Sequence, residues 1–170
     1  MRIPGFCRSS YRNPSGALLR RRAVQALALV LPLAFVGCAT KPVVTPLSLT
    51  AKAGADSNPD SRGRASPLKV RVYALKSPGA FQGADYFSLN DSETATLGAE
   101  LVQREEMLLQ PGETKKLELI LPADVKVIGV VAAYRDLERA RWREVRPVQP
   151  GKPVQMAITF GARQMQIEQK

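Results

Sequence analysis

A mainly β fold, two packed layers of seven or eight short strands with one short helical insertion, is what this 170-residue sequence predicts. Three observations carry that expectation. Residues 68–75 alternate without a break, residues 126–134 are apolar after Lys126 and rich in β-branched side chains, and Pro-Gly pairs punctuate the chain at 111–112 and 150–151. Many short strands with a single stretch of different period pack as a two-layer sandwich.

The first strand is expected at 47–51, where Leu47, Leu49 and Ala51 alternate with Ser48 and Thr50. Residues 53–67 hold nearly every turn-forming residue type and no large apolar one, which predicts an exposed loop, long for a link between two strands. In the 68–75 strand, Leu68, Val70, Val72 and Ala74 share the core face, and Lys69, Arg71, Tyr73 and Leu75 the other. Across 78–97 the alternation stops, and the spacing of Phe81, Ala84, Phe87 and Leu89 fits one or two short helices broken at Asn90-Asp91-Ser92. Extended character returns at 101–109, and Gln110-Pro111-Gly112-Glu113 predicts a turn into a hairpin partner at 116–121. The 126–134 run suits a central strand buried on both faces. A charged stretch at 135–141 carries the chain outward, 142–148 and 154–160 are two further strands, and 165–168 is a candidate edge.

The N-terminal region is organised differently. Arg20-Arg21-Arg22 precedes fourteen largely apolar residues, 23–36, and then Gly37-Cys38, the charged, hydrophobic and small-residue zones of a secretory signal. The apolar run falls short of the roughly 20 residues that span a bilayer, and the polar, Pro-containing stretch after it does not continue a membrane helix. Phe35-Val36-Gly37-Cys38 resembles the lipobox of bacterial lipoproteins, in which a peptidase cuts before a cysteine that carries a diacylglyceryl group. Residues 1–37 are then a lipoprotein signal peptide, Cys38 the lipidation site, 38–46 a tether, and 47–170 the sandwich domain with its helical insertion at about 78–97. Ala39-Thr40 follows Cys38, without the Asp that commonly retains lipoproteins in the inner membrane.

Composition narrows the chemistry. Net charge is +10, but six of the 25 basic residues and none of the 15 acidic ones precede Cys38, leaving 19 against 15, or +4. That argues against a nucleic-acid partner, which needs a concentrated basic face. Arg135, Arg139, Arg141, Arg143 and Arg146 form a mild cluster, interleaved with Asp136, Glu138 and Glu144, and are expected to make a solvated, mutually paired face. The sequence has no histidine, and its cysteines are Cys7 and Cys38 alone, so Ser-His and Cys-His nucleophilic chemistry and imidazole or thiolate zinc sites have no residues to use. Glu105-Glu106, adjacent on a strand, point to opposite faces. No phosphate loop, dinucleotide fingerprint or calcium loop occurs. We expect no enzyme, no cofactor, no metal and no small-molecule substrate.

Several segments together resemble one family. Residues 68–75 followed by Lys76-Ser77-Pro78-Gly79-Ala80-Phe81 and Ala84-Asp85-Tyr86-Phe87-Ser88-Leu89 are similar to TssJ, the outer-membrane lipoprotein family of type VI secretion systems, also called SciN or VasD. So are Leu97-Gly98-Ala99-Glu100-Leu101, Leu109-Gln110-Pro111-Gly112-Glu113, Ile128-Gly129-Val130-Val131-Ala132-Ala133-Tyr134-Arg135-Asp136 and Trp142-Arg143, in the family's order across most of 65–146. The resemblance implies a transthyretin-like β-sandwich, lipid-anchored on the periplasmic face of the outer membrane. It also implies a structural role in the secretion system's membrane core complex, in which the loop between the first two strands binds the periplasmic C-terminal domain of TssM. Transferred to this chain, that loop is 53–67, with Asp56, Asn58, Pro59, Asp60, Arg62, Gly63, Arg64 and Ser66 as the partner-binding candidates. Tyr73, Phe81, Phe87, Tyr134 and Trp142, which lie in or beside these blocks, are expected to pack rather than bind. The alternative that composition and fold permit is a general envelope lipoprotein, a pilotin or assembly accessory for another complex. Transthyretin-like enzymes that hydrolyse hydroxyisourate depend on active-site histidines, which this chain lacks.

Overall fold

The computed structural model describes residues 42–169, so Cys38 and the signal region lie outside the described residues. Eight strands form two four-stranded sheets. They are β1 (Val44–Ala53), β2 (Leu68–Leu75), β3 (Leu101–Leu109), β4 (Thr114–Pro122), β5 (Val127–Ala132), β6 (Arg143–Pro147), β7 (Val154–Phe160) and β8 (Met165–Gln169). One sheet has the order β4-β1-β7-β8, the other β3-β2-β5-β6. Pairing is antiparallel except between β1 and β7, which run parallel with Leu47 opposite Val154. The inward faces alternate as the sequence does: Leu47, Leu49 and Ala51 meet Leu68, Val70 and Val72 in one core with Ile128, Val130, Met156, Ile158 and Phe160.

β1 begins three residues before the expected strand, taking Val44, Thr45 and Pro46 from the tether. Pro46 fits because β1 pairs only with β4 at that level; the β7 ladder starts at Leu47, so the missing N–H costs no bond on that side. Residues 101–109 and 116–121 do not form a hairpin. β3 pairs with β2 and β4 with β1, so the turn at 110–113 crosses from one sheet to the other. Gly112, at φ +80°, makes that crossing possible, and its N–H donates to the Gly54 carbonyl at 3.2 Å.

β2 also departs from a one-faced strand, since Tyr73 and Leu75 are fully buried. A second core covers them, formed by the helical insertion. It contains three helices, α1 (Gly79–Gly83), α2 (Tyr86–Asp91) and α3 (Glu93–Leu97), followed by a 3₁₀ turn at Gly98–Glu100. Asp85 caps α2, its side chain accepting the Ser88 N–H at 3.0 Å. Phe81, Leu89 and Leu97 bury against Tyr73, Leu75, Val127 and Val131. Gly129 on β5 is required here: a β-carbon at that position would lie 2.7 Å from the Phe81 ring. Arg71 locks the insertion from the side, pairing with Glu106 at 2.7 Å and donating to the Asn90 carbonyl at 2.9 Å. Phe87, by contrast, is 64% exposed and is not a core residue; its ring lies 5.5 Å from that of Tyr86, nearly perpendicular to it.

Candidate functional site

The loop between β1 and β2, residues 54–67, is built around two side chains that leave little of it free. Asn58 sits at φ +51°, a left-handed conformation that its short amide tolerates, and is 3% exposed. Its Nδ2 donates to the Pro67 carbonyl at 2.7 Å, and its Oδ1 accepts the Arg135 N–H at 2.8 Å. The loop base is thereby stapled to its own end and to the segment after β5. Ser57 and Ser66 are buried beside it, with the Ser66 N–H donating to the Ser57 carbonyl at 3.1 Å. These three residues are buried and bond within the domain; Asn58 and Ser66 are among the binding candidates read from the sequence. Polar residues in a Gly/Pro-rich stretch look solvated until a backbone arrives to pair with them.

Asp60 organises the tip. One carboxylate oxygen accepts the N–H groups of Arg62 and Arg64, both at 2.9 Å, and the other accepts Arg64 Nε at 2.8 Å. The Asp60 N–H bonds back to the Arg64 carbonyl at 2.8 Å, and Gly63 turns the chain at φ +78°. These bonds favour the ionised carboxylate and hold Asp60 below the usual carboxylate range, the Arg64 backbone N–H having the largest effect. Asp56, Arg62, Gly63 and Arg64 are exposed, and Pro59 and Asp60 half-buried.

Two other segments meet the loop tip. Arg135 and Arg139 follow β5, and Arg163 lies in the turn between β7 and β8; with Asp136 they line an open depression that the tip completes. Asp136 accepts from Arg163 Nε at 3.0 Å, and Asp60 pairs with Arg64. Arg62, Arg135 and Arg139 form no ion pair among the described residues and are exposed, so the surface carries five arginines against two carboxylates. The paired face expected of the arginines after β5 therefore divides. Arg141 and Arg146 both pair with Glu144. Arg143 turns inward to the carbonyls of Phe81 and Ala84, with its guanidinium 4.8 Å from the Trp142 ring centre. Arg135 and Arg139 join the loop instead. Sequence reading missed Arg163, which is distant along the chain and belongs to no motif.

The depression lies at one end of the sandwich, with the turns at 110–113 and 161–164 and the segment after β5. The described chain enters at the opposite end, where Val44 faces Pro122 and Thr45 Oγ1 accepts the Gly151 N–H at 2.7 Å. β1 runs from one end to the other, about 30 Å at 3.3 Å per residue. Among the described residues there is no cluster of potential metal ligands, and no helix is long and apolar enough to cross a membrane.

Residues 45–164 match the family model described as Type VI secretion lipoprotein, VasD, EvfM, TssJ, VC_A0113. Among solved structures, the chain is similar to the type VI secretion lipoprotein TssJ1 from Pseudomonas aeruginosa, at 41% identity over 76% of this chain and 97% of that one, with a TM-score of 0.73. It is similar to Serratia marcescens Lip, a membrane-bound component of the type VI secretion system, at 29% identity over 76% and 98% of the two chains, with a TM-score of 0.69. The structure of the type VI protein TssM C-terminal domain from EAEC aligns at 24% identity over 72% and 97% of the two chains, with a TM-score of 0.61, a likeness of fold. No curated protein matches the sequence. With the family model spanning nearly the whole sandwich and TssJ1 aligning over 97% of its length at 41% identity, the chain belongs to the TssJ family of type VI secretion lipoproteins.

Proposed function

We propose that the protein is the lipid-anchored outer-membrane component of a type VI secretion membrane core complex, and that its 54–67 loop binds the periplasmic C-terminal domain of TssM. In this reading Cys38 carries the lipid after removal of residues 1–37, and Ala39-Thr40 permits transfer to the outer membrane. The observation that carries the reading is the placement of an internally braced, cationic loop tip at the end of the sandwich opposite the chain's entry. A site so placed faces away from the membrane that holds the protein, toward a partner rooted in the inner membrane. Bracing matters energetically, because a loop already ordered by Asn58 and Asp60 gives up little conformational freedom on binding. The unpaired Arg62, Arg135 and Arg139 call for an acidic counter-surface on TssM.

The test is calorimetric titration of the non-lipidated chain, residues 39–170, with the TssM periplasmic domain. Arg62→Glu combined with Arg139→Glu changes exposed side chains only and leaves the loop's internal bonds in place. Affinity is expected to fall tenfold or more, about 1.4 kcal/mol or above. Unchanged affinity in the double variant removes the loop end as the interface and directs attention to the helical insertion.

A further inference from the structure

The outward face of the first sheet changes character along its length. Toward the loop end, β1 and β4 present Thr50 opposite Lys116 and Ser48 opposite Glu118. Toward the entry end the next two facing pairs are Pro46 with Ile120 and Val44 with Pro122, all four exposed. Ile120 is 62% exposed, Val43 54% and Val44 42%, three of the five large apolar side chains that the described residues leave open to solvent. A sheet face that ends in solvent normally carries polar residues at such positions. Among the described residues nothing covers these. Lys152 adjoins the patch, because Val43 packs against Gly151 beside it. Lys126 follows the turn after Pro122. Neither lysine forms an ion pair among the described residues, whereas Lys76 nearby is paired with Asp124 at 3.1 Å.

We infer that this patch, Val43, Val44, Ile120 and Pro122 with Lys152 beside it, rests on the lipid surface to which the chain is anchored. The inference builds on lipidation at Cys38, and the length of chain before the patch selects the occupant. Val43 lies five residue steps beyond Cys38, and at no more than about 3.6 Å each these reach roughly 18 Å. A lipidated chain therefore keeps this end of the sandwich within that distance of the headgroups, whatever the tether does. Apolar side chains immersed at the acyl boundary, beside lysines in contact with anionic headgroups, are the usual composition of a surface that lies on a membrane. The contact adds a second attachment to the acyl chains and fixes how the sandwich stands, so that the arginine-rich end points outward.

The experiment uses the full chain, expressed, processed and purified from membranes, reconstituted into vesicles of phosphatidylethanolamine and phosphatidylglycerol that carry a doxyl-labelled lipid quencher. Pro122→Cys or Arg62→Cys supplies one attachment point for a fluorophore, Cys38 being blocked by its lipid. The label at 122 is expected to be quenched severalfold more strongly than the label at 62. Adding Val44→Glu and Ile120→Glu should bring quenching at 122 down to the level at 62 while the protein still sediments with the vesicles. Equal quenching at both positions in protein whose Cys38 peptide is acylated by mass spectrometry overturns the lipid contact and leaves the anchor intact. An unacylated Cys38 overturns the anchor and this inference with it. Shielding at 122 that appears only at high protein density on the vesicles assigns the patch to a second copy of the chain and also overturns the contact.

Discussion

Replacing Asn58 with alanine removes both bonds that tie the loop to Pro67 and Arg135 and puts a β-carbon with no compensating amide at φ +51°. Each buried group left unpaired costs about 1–3 kcal/mol, and the left-handed backbone about 1–2 more. Asn58→Ala should thus lower unfolding stability in urea by on the order of 2–4 kcal/mol, with Asn58→Gly recovering only the backbone part. The same bonds mean that exchanging 58–64 for a Gly-Ser linker destabilises the domain; a clean interface test must spare Asn58. Gly129→Ala forces a methyl onto the Phe81 ring and should cost about 1–3 kcal/mol by overpacking, seen as a lowered urea midpoint. Asp60 gives the loop a pH dependence of known sign. Its folded carboxyl is more acidic than its ordinary value of 3.8, so the bracing is complete above that value and is lost as pH falls through the lower folded one. The Arg62 and Arg64 amide resonances should therefore stay put from neutral pH to about 4 and shift only below it; movement between pH 5 and 7 would assign the bracing to another group.

At the level of elements, Arg71 joins three parts of the fold: it pairs with Glu106 on β3, lies 3.7 Å from Glu93 of α3, and donates to carbonyls at the end of α2. Glu106 is held below the usual carboxylate range chiefly by this bond. Tyr73, whose hydroxyl burial pushes up to about 12, donates to Glu93 at 3.1 Å from beneath. Arg71→Ala should increase amide hydrogen exchange across α2 and α3 severalfold while β5 remains protected. Equal exchange in both regions would mean that packing of Phe81 and Leu89 alone holds the insertion. The strands themselves were legible because alternation states which face each residue takes, and all eight lie within a few residues of their expected positions. Their partners were less legible. Alternation is silent on which neighbour a strand joins, so 101–109 and 116–121 read as a hairpin when the turn between them changes sheets. The second core was hidden for a related reason: Tyr73 and Leu75 look like an outward face until the insertion folds over them. For the candidate site, turn composition located the loop, but not the inward Asn58 and Ser66, and not the convergence of Arg139 and Arg163, which only the folded chain brings together.

For the whole molecule, the two ends of the sandwich divide the proposed work. Cys38→Ser should abolish incorporation of a fatty-acid analogue and move the protein from the outer-membrane fraction of a density gradient to the soluble periplasmic fraction; persistent label in the variant would refute the lipidation site. Binding between the loop end and TssM, if it rests on exposed arginines, should weaken steadily as salt rises past 0.15 M, where the screening length is about 8 Å, and Arg62→Glu should flatten that dependence. Salt-independent affinity would point to an apolar interface. The central position of β1 has a further consequence. This strand leads from the entry end to the loop and is flanked along its length by β4 and then β7. A pull between residue 43 and the loop tip acts along β1, perpendicular to the hydrogen bonds on both sides, so the bonds are sheared as a group instead of being unzipped one at a time. In an optical trap, the domain loaded through those two points should rupture at markedly higher force than when pulled across the edge strand β8, making the chain stiff along the axis on which a tether is strained.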